Sequence, residues 1–317
     1  MNNVEIKDLN MGFMTEQGYR PALFDVSLNI KQGQMHALVG ESGCGKTMTA
    51  MSILQLLPKN AVVKSGQILF EGKNLLEFSN KEMQKIRGAR IALIPQDPMT
   101  SLNPLYTVGN QIMEALRCHR DISVLDAKKE VLKVLDMVKI PNPEKRFNAY
   151  PHELSGGMKQ RVIIATALAL DADVIIADEP TTALDVTVQA QIMSLLEYIK
   201  LGFNKSILII THDLNLIGQY ADEISVMYAG RIVEQASVRE FFRNPLHPYS
   251  QALLKALPKE NVSRLCSIQG APPSIFDDIT GCRFYPRCEK CLKDICVQKT
   301  PELTGVSEFH NVSCWLY

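Results

Sequence analysis

Eight consecutive residues constrain this chain more than any others: Gly40-Glu41-Ser42-Gly43-Cys44-Gly45-Lys46-Thr47. They fit the pattern G-x-x-x-x-G-K-[ST] and lie between an apolar strand-like run, Met35–Val39, and a helical run, Met48–Leu57, that Pro58 ends. Glycines at these spacings allow successive backbone N–H groups to turn inward on a phosphate. Lys46 is then placed to reach the outer phosphates, and the Thr47 hydroxyl to hold Mg²⁺. The helix that follows contributes its positive end. Cys44 occupies a free position of the pattern, where a small side chain suffices and no chemistry is required.

A second run completes the chemistry. Val174–Ala177 is short and wholly apolar, as expected of a strand buried on both faces of a parallel sheet, and it delivers Asp178 and Glu179 at its end. Asp178 is the candidate Mg²⁺ ligand and Glu179 the candidate general base that polarises an attacking water. Further strands are expected at Val4–Leu9, Ser27–Ile30, Gln67–Phe70, Arg90–Ile94 and Ser206–Thr211. A hairpin is expected from Ile224–Tyr228 and Ile232–Gln235 around Ala229-Gly230-Arg231. From Asp97 to about Leu170 the pattern is helical, with Ala127–Val138 clearly amphipathic; Val188–Lys200 and Leu214–Tyr220 read as further helices. Strand–helix alternation around such a loop implies an α/β core with helices on both faces of the sheet.

The 34 basic and 34 acidic residues among 317 cancel, so no global charge draws the chain to nucleic acid or an anionic surface. The most apolar stretch, Val162–Leu170, is closed by Asp171 and Asp173, well short of the roughly 20 apolar residues a membrane-spanning helix needs. The beginning, Met1-Asn2-Asn3-Val4-Glu5, lacks a basic segment followed by an apolar run and does not read as a secretory signal. The chain is expected to serve any membrane process as a peripheral partner.

Leu154-Ser155-Gly156-Gly157-Met158-Lys159-Gln160 separates this chain from other nucleotide-binding classes. Two glycines after a serine, at the start of a long helix, make another anion-binding helix terminus. With Gln96, Asp178-Glu179, Ala183-Leu184-Asp185 and His212 in that order, the set resembles the ATP-binding-cassette (ABC) ATPases over about residues 4–260. The resemblance implies a P-loop ABC nucleotide-binding domain with a RecA-like parallel core, an antiparallel β subdomain and a helical subdomain at about 97–170. It implies catalytic roles for Glu179, His212, Gln96 and Lys46, and contacts to ATP and Mg²⁺ from Gly40 through Met48, Gln96 and Asp178. Phe13 looks like the ring that stacks on adenine, with Tyr19 its nearby competitor. Ser155, Gly156, Gly157, Gln160 and Asp185 resemble residues that serve the nucleotide of an opposing chain.

Three segments resemble the dipeptide and oligopeptide importers: Gln96–Pro104, Asn244–Leu254 and Gly281–Cys288. The resemblance implies a domain 1–245, an appended Cys-rich domain 246–317, a second ATPase chain that is a sister rather than a copy, two permease subunits, and an extracytoplasmic substrate-binding protein. It places the chain at the cytoplasmic face of the membrane with no nucleic-acid partner; nickel or metal-chelate import, and a soluble non-transport ABC ATPase, are the alternatives. Of the eight cysteines, Cys44, Cys118 and Cys266 are scattered, and five crowd into the tail. Spacing alone leaves an iron–sulfur cluster, zinc and free thiols open. The resemblance implies a [4Fe–4S] cluster on Cys282, Cys288, Cys296 and Cys314, with Cys291 outside the pattern and zinc the alternative. Arg283 and Arg287 are candidates to offset the charge of such a cluster, or else ordinary surface charge.

Overall fold

The structure, a computed structural model, describes residues 2–257, 268–274 and 276–317. Cys266 and Pro258 lie outside the described residues. The first half runs β1 (Asn2–Thr15), β2 (Gly18–Lys31), β3 (Met35–Val39), α1 (Lys46–Ile53), β4 (Ala61–Phe70), β5 (Lys73–Asn74), α2 (Asn80–Ile86) and β6 (Ile91–Ile94). A helical stretch follows: α3 (Pro98–Ser101), α4 (Val108–His119), α5 (Val124–Met137), α6 (Pro143–Phe147) and α7 (Gly156–Ala169). Then come β7 (Val174–Asp178), α8 (Val186–Phe203), β8 (Ser206–Thr211), α9 (Leu214–Tyr220), β9 (Glu223–Tyr228), β10 (Arg231–Ser237), α10 (Val238–Arg243) and α11 (Pro248–Lys255). The tail carries α12 (Lys293–Gln298), β11 (Thr304–Ser307) and β12 (His310–Val312).

The chain forms two compact units, one of residues 31–35 and 77–210, the other of 2–30, 36–76 and 211–317. In the first, β6, β7 and β8 pair in parallel, with Ile91 opposite Val174 and Asp178 opposite Ile210. Every residue of β7 and β8 is buried, which is why both read as uninterrupted apolar runs. The helix α7 is the hub of this unit and packs against α3, α4, α5, α8 and β6. Nine of its side chains are buried, so it has no polar face to mark a helical period in the sequence.

In the second unit β2, β1, β4 and β5 form an antiparallel sheet, and β11, β12, β10, β9 and β3 follow one another in another. The β3–β9 pairing is parallel and the remainder of that series antiparallel, so the sheet is mixed. The expected hairpin is present: Ala229 and Gly230 both have left-handed φ, as a two-residue turn between twisted strands requires. The tail strand β12 pairs with β10, so the tail adds strands to the edge of this sheet, and a separate Cys-rich domain is not seen among the described residues.

Several expected elements differ in extent. The strands expected at Val4–Leu9 and Ser27–Ile30 are each fourteen residues long. Asp8 and Asp25 adopt left-handed φ, and the β1–β4 register shifts around Asn10, which interrupts the alternation that sequence patterning relies on. The helix expected at Met48–Leu57 starts inside the glycine motif at Lys46 and ends at Ile53, because Gln55 turns left-handed before Pro58 is reached.

Candidate nucleotide site

The phosphate loop hangs between β3 and α1 in the second unit. Gly45 has φ near 108°, a conformation a side chain resists, and an added Cβ would lie 2.6 Å from Leu23 Cδ2. Gly45 is the N-cap of α1 and offers no side-chain cap, so the first N–H groups of this helix remain available to an anion. By contrast Ser155 caps α7, accepting from the Met158 N–H at 3.4 Å. The Lys46 ammonium is buried and donates to the carbonyls of Gly40 at 2.8 Å and Glu41 at 3.0 Å. It is thus held by the loop it belongs to. Ser42 and Gly43 are exposed at the lip, with Thr47 and Met48 half-buried on the first turn. Cys44 is buried, and desolvation pushes its thiol up, in keeping with a position chosen for size.

The carboxylates stand in the first unit. Asp178, the last residue of β7, is 2% exposed. Glu179 has φ near 46°, unusual for a non-glycine residue, and its N–H donates to the Ile210 carbonyl at 2.8 Å. Backbone held in such a sparse region costs of order 1–3 kcal/mol and persists where surrounding bonds fix it. Here those bonds reach the carboxylate: Gln96 Nε2 donates to Glu179 Oε2 at 3.2 Å and Thr182 Oγ1 donates to the same oxygen at 2.8 Å. Two of the residues expected at the site, Gln96 and Glu179, are thus in contact, and Thr182, which carries no sequence pattern, joins them. His212 is exposed directly after β8, and Asp213 caps α9 through the N–H groups of Asn215 and Leu216.

In the signature segment, Ser155 is exposed and Gly156 and Gly157 are half-buried. An added Cβ on Gly157 would lie 2.7 Å from Val188 Cγ1, so the glycine permits α7 and α8 to approach at their N-terminal ends. Gln160 is 1% exposed and its amide has no hydrogen-bond partner among the described residues. Asp185 is exposed and caps α8, accepting from Val188 N–H at 3.0 Å. Phe13 lies half-buried opposite Ala61 in the β1–β4 ladder, whereas the ring of Tyr19 carries Lys64 Nζ at 4.7 Å from its centroid.

In the tail, Cys282, Cys288, Cys296 and Cys314 line one small enclosed cavity together with His247, Phe284 and Trp315. Burial pushes the thiols of Cys282 up to about 12 and Cys288 up to about 11. Cys291 does not line this cavity. No group of three or more His, Cys, Asp or Glu among the described residues is arranged to hold a metal ion, so neither the expected [4Fe–4S] cluster nor the zinc alternative is shown. Both arginines have partners elsewhere: Arg283 lies 4.5 Å over the ring of Phe24, and Arg287 pairs with Glu41 at 2.7 Å. Nor is either ordinary surface charge, since Arg283 is 9% exposed and the Arg287 side chain 6%.

In one unit a phosphate loop precedes an uncapped helix; in the other a buried strand ends at Asp178, with Glu179 next, and a Ser-Gly-Gly turn opens a long helix, and these are the parts of an ATP-binding cassette. Comparison with known proteins agrees. The ABC transporter family matches residues 23–182, and the oligopeptide/dipeptide transporter C-terminal region matches residues 233–296. The dipeptide transport ATP-binding protein DppD of Bacillus subtilis is 46% identical over 316 residues, covering 99% of this chain and 94% of that protein. The oligopeptide transport ATP-binding protein OppD of Haemophilus influenzae is 44% identical over 315 residues, covering 99% and 97%. Among solved structures, the dimeric post-hydrolysis state of the cassette MJ0796 bound to ADP and Pi has a TM-score of 0.67 at 28% identity, covering 74% of this chain and 99% of that one. The chain belongs to the ABC transporter ATP-binding subunits of the oligopeptide/dipeptide importer family.

Proposed function

We propose that this chain hydrolyses ATP to ADP and phosphate and thereby energises import of dipeptides or oligopeptides. The observation that carries the peptide assignment is the near-complete match to peptide-transport ATP-binding proteins, including the tail region. Lys46, the loop N–H groups and Thr47 bind the phosphates and Mg²⁺, with Asp178 as a further Mg²⁺ ligand. Glu179, oriented by Gln96 and Thr182, takes the proton of the attacking water. Phe13 stacks on the base, and His212 contacts the γ-phosphate. Ser155, Gly156, Gly157 and Asp185 serve ATP held by an opposing ATPase chain, which the family favours as a sister subunit. A cassette solved as a dimer at 28% identity supports this arrangement.

No helix among the described residues is long and apolar enough to cross a membrane, so permease subunits would supply the path. Met99, Leu105 and Tyr106 are 61%, 79% and 54% exposed around α3, an apolar group suited to a membrane subunit at the cytoplasmic face. The four cysteines around one cavity support a [4Fe–4S] cluster held by Cys282, Cys288, Cys296 and Cys314, which would brace a tail with little core of its own.

Reconstitution with the permease and binding-protein subunits tests the assignment. ATP-dependent uptake of labelled peptides, lost in Glu179→Gln, is the expected result. Uptake of nickel or a metal chelate in place of peptide would redirect the cargo. ATP turnover indifferent to the membrane subunits would point to a non-transport ATPase.

A further inference from the structure

Glu41 is the second residue of the phosphate loop and the point where three parts of the second unit meet. Its backbone N–H donates to the hydroxyl of Tyr249 on α11 at 2.9 Å. Its carbonyl accepts from Lys46 Nζ at 3.0 Å. Its carboxylate receives both arms of the Arg287 guanidinium, Nη1 on Oε2 at 2.7 Å and Nη2 on Oε1 at 3.0 Å. Arg287 immediately precedes Cys288, in the segment that lines the cysteine cavity.

The remaining bonds of the guanidinium fix its plane. Nε donates to the carbonyl of Gln269 at 2.9 Å, and Nη1 also donates to the hydroxyl of Tyr228 at 3.2 Å. The Phe284 ring of the tail lies 5.1 Å from Tyr228, which accepts from Arg287, and 5.3 Å from Tyr249, which accepts from the Glu41 N–H, so the tail also packs on the tyrosine that holds the loop. With 6% and 24% of their side chains exposed, Arg287 and Glu41 form a largely dry, two-pronged pair, the geometry in which charge and orientation both count.

The location makes the pair more than a structural clip. A carboxylate in a loop that receives a triphosphate opposes the ligand unless it is neutralised, and in a poorly solvated setting that opposition is strong. Arg287 removes it and also fixes the residue whose carbonyl holds Lys46. We propose that the cysteine-bearing tail is a working part of the ATP site, with Arg287 a positioning residue that acts through Glu41 to keep the phosphate loop in its ATP-receiving form. The proposal rests on the nucleotide reading above and adds to it that the tail, by sequence remote from the site, sets its affinity.

The test is titration of a fluorescent ATP analogue and of its ADP counterpart into the full-length chain, with ATP turnover of the assembled importer measured alongside. Arg287→Met is expected to weaken ATP analogue binding about tenfold, and the ADP analogue less, because the uncompensated carboxylate opposes the more highly charged ligand. Turnover at saturating ATP is expected to stay within about twofold, since the proton-accepting Glu179 is untouched. Arg287→Met/Glu41→Gln, which removes the charge left behind, is expected to recover most of the loss. If Arg287→Met does not fold, Arg287→Lys, which keeps the charge and loses the fork, is expected to show a smaller shift in the same sense. Unchanged affinity in the folded single variant, or a double variant no better than the single, overturns the proposal, since a merely structural pair gives no charge-specific rescue. A wild-type chain that binds neither analogue would instead remove the nucleotide reading itself.

Discussion

Gln96 donates from its side-chain amide to Glu179 Oε2 at 3.2 Å, joining the turn after β6 to the end of the adjacent strand β7. A base needs its accepting oxygen in place before water arrives, and this bond helps place it. Glu179→Gln keeps the shape of the side chain and loses the proton acceptor. It is expected to bind ATP normally and to lower turnover by about 10²–10⁴-fold. Phosphate release together with ATP titration checks this, and a variant that turns over like the parent would remove Glu179 from the role.

Thr182 makes the same placement from within the chain turn that follows, with its hydroxyl 2.8 Å from the same oxygen. Thr182→Val removes one hydrogen bond at constant size. A net contribution of about 1 kcal/mol corresponds to roughly a fivefold fall in turnover. The KM for ATP is expected to stay put, because the hydroxyl orients the base and does not bind nucleotide. A shift confined to KM would show that Thr182 acts on binding instead.

The glycines of the signature segment have a packing role that can be separated from any role toward nucleotide. Gly157→Ala brings a methyl to 2.7 Å of Val188 Cγ1, and a β-branched side chain has little room to yield. A loss of about 1–3 kcal/mol in urea unfolding is expected. Gly157→Ala/Val188→Ala is expected to regain most of it by clearing the space. A single variant as stable as the parent would mean that α7 and α8 separate without cost.

What the sequence disclosed divides along physical lines. The strands β7 and β8 were legible because burial on both faces leaves an unbroken apolar run, and the carboxylates and phosphate loop because their chemistry fixes residue type and spacing together. Much of β1 and β2 was not, since left-handed residues at Asp8 and Asp25 break the alternation of faces. Thr182 carries no pattern, because a hydroxyl reaching back three residues looks like any loop threonine. Beside the cysteines, Arg287 reads as a charge partner for a cluster or as ordinary surface charge, whereas its ion-pair partner Glu41 lies 246 residues away in sequence. Short-range spacing records the demands of a motif and is blind to the long-range pairs that brace it.

His247 gives the chain a defined acid limit. Burial lowers its pKa to about 3, and its Nδ1 accepts from the Tyr249 N–H at 3.1 Å, a bond only the neutral tautomer can make. In the unfolded chain the imidazole takes up its proton near the ordinary value of about 6.5. Between those values the unfolded state binds the extra proton, so stability rises with pH, by up to about 1.4 kcal/mol per unit from this group. Above about 6.5 both states are neutral and the contribution levels off. His247→Asn is expected to lower stability at pH 7 yet flatten the slope between pH 4 and 6, as followed by urea midpoints. An unchanged slope would place the acid sensitivity in other groups.

The cysteine cavity makes a prediction in which proton chemistry and metal content must agree. With Cys282 pushed up to about 12 and Cys288 to about 11, these thiols are protonated at neutral pH unless a cationic centre stabilises the thiolates. Assembly of an iron–sulfur cluster therefore releases protons, and retention of the cluster is expected to weaken as pH falls. Protein purified without oxygen is expected to be brown and to carry about four irons per chain. Cys282→Ser or Cys314→Ser is expected to lower iron content sharply, because each removes a thiol that lines the cavity. Cys291→Ser, outside the cavity, is expected to leave it unchanged. Colourless protein containing one equivalent of zinc would reject the cluster, and colourless protein without metal would leave the four cysteines as a packed thiol cluster beneath Phe284.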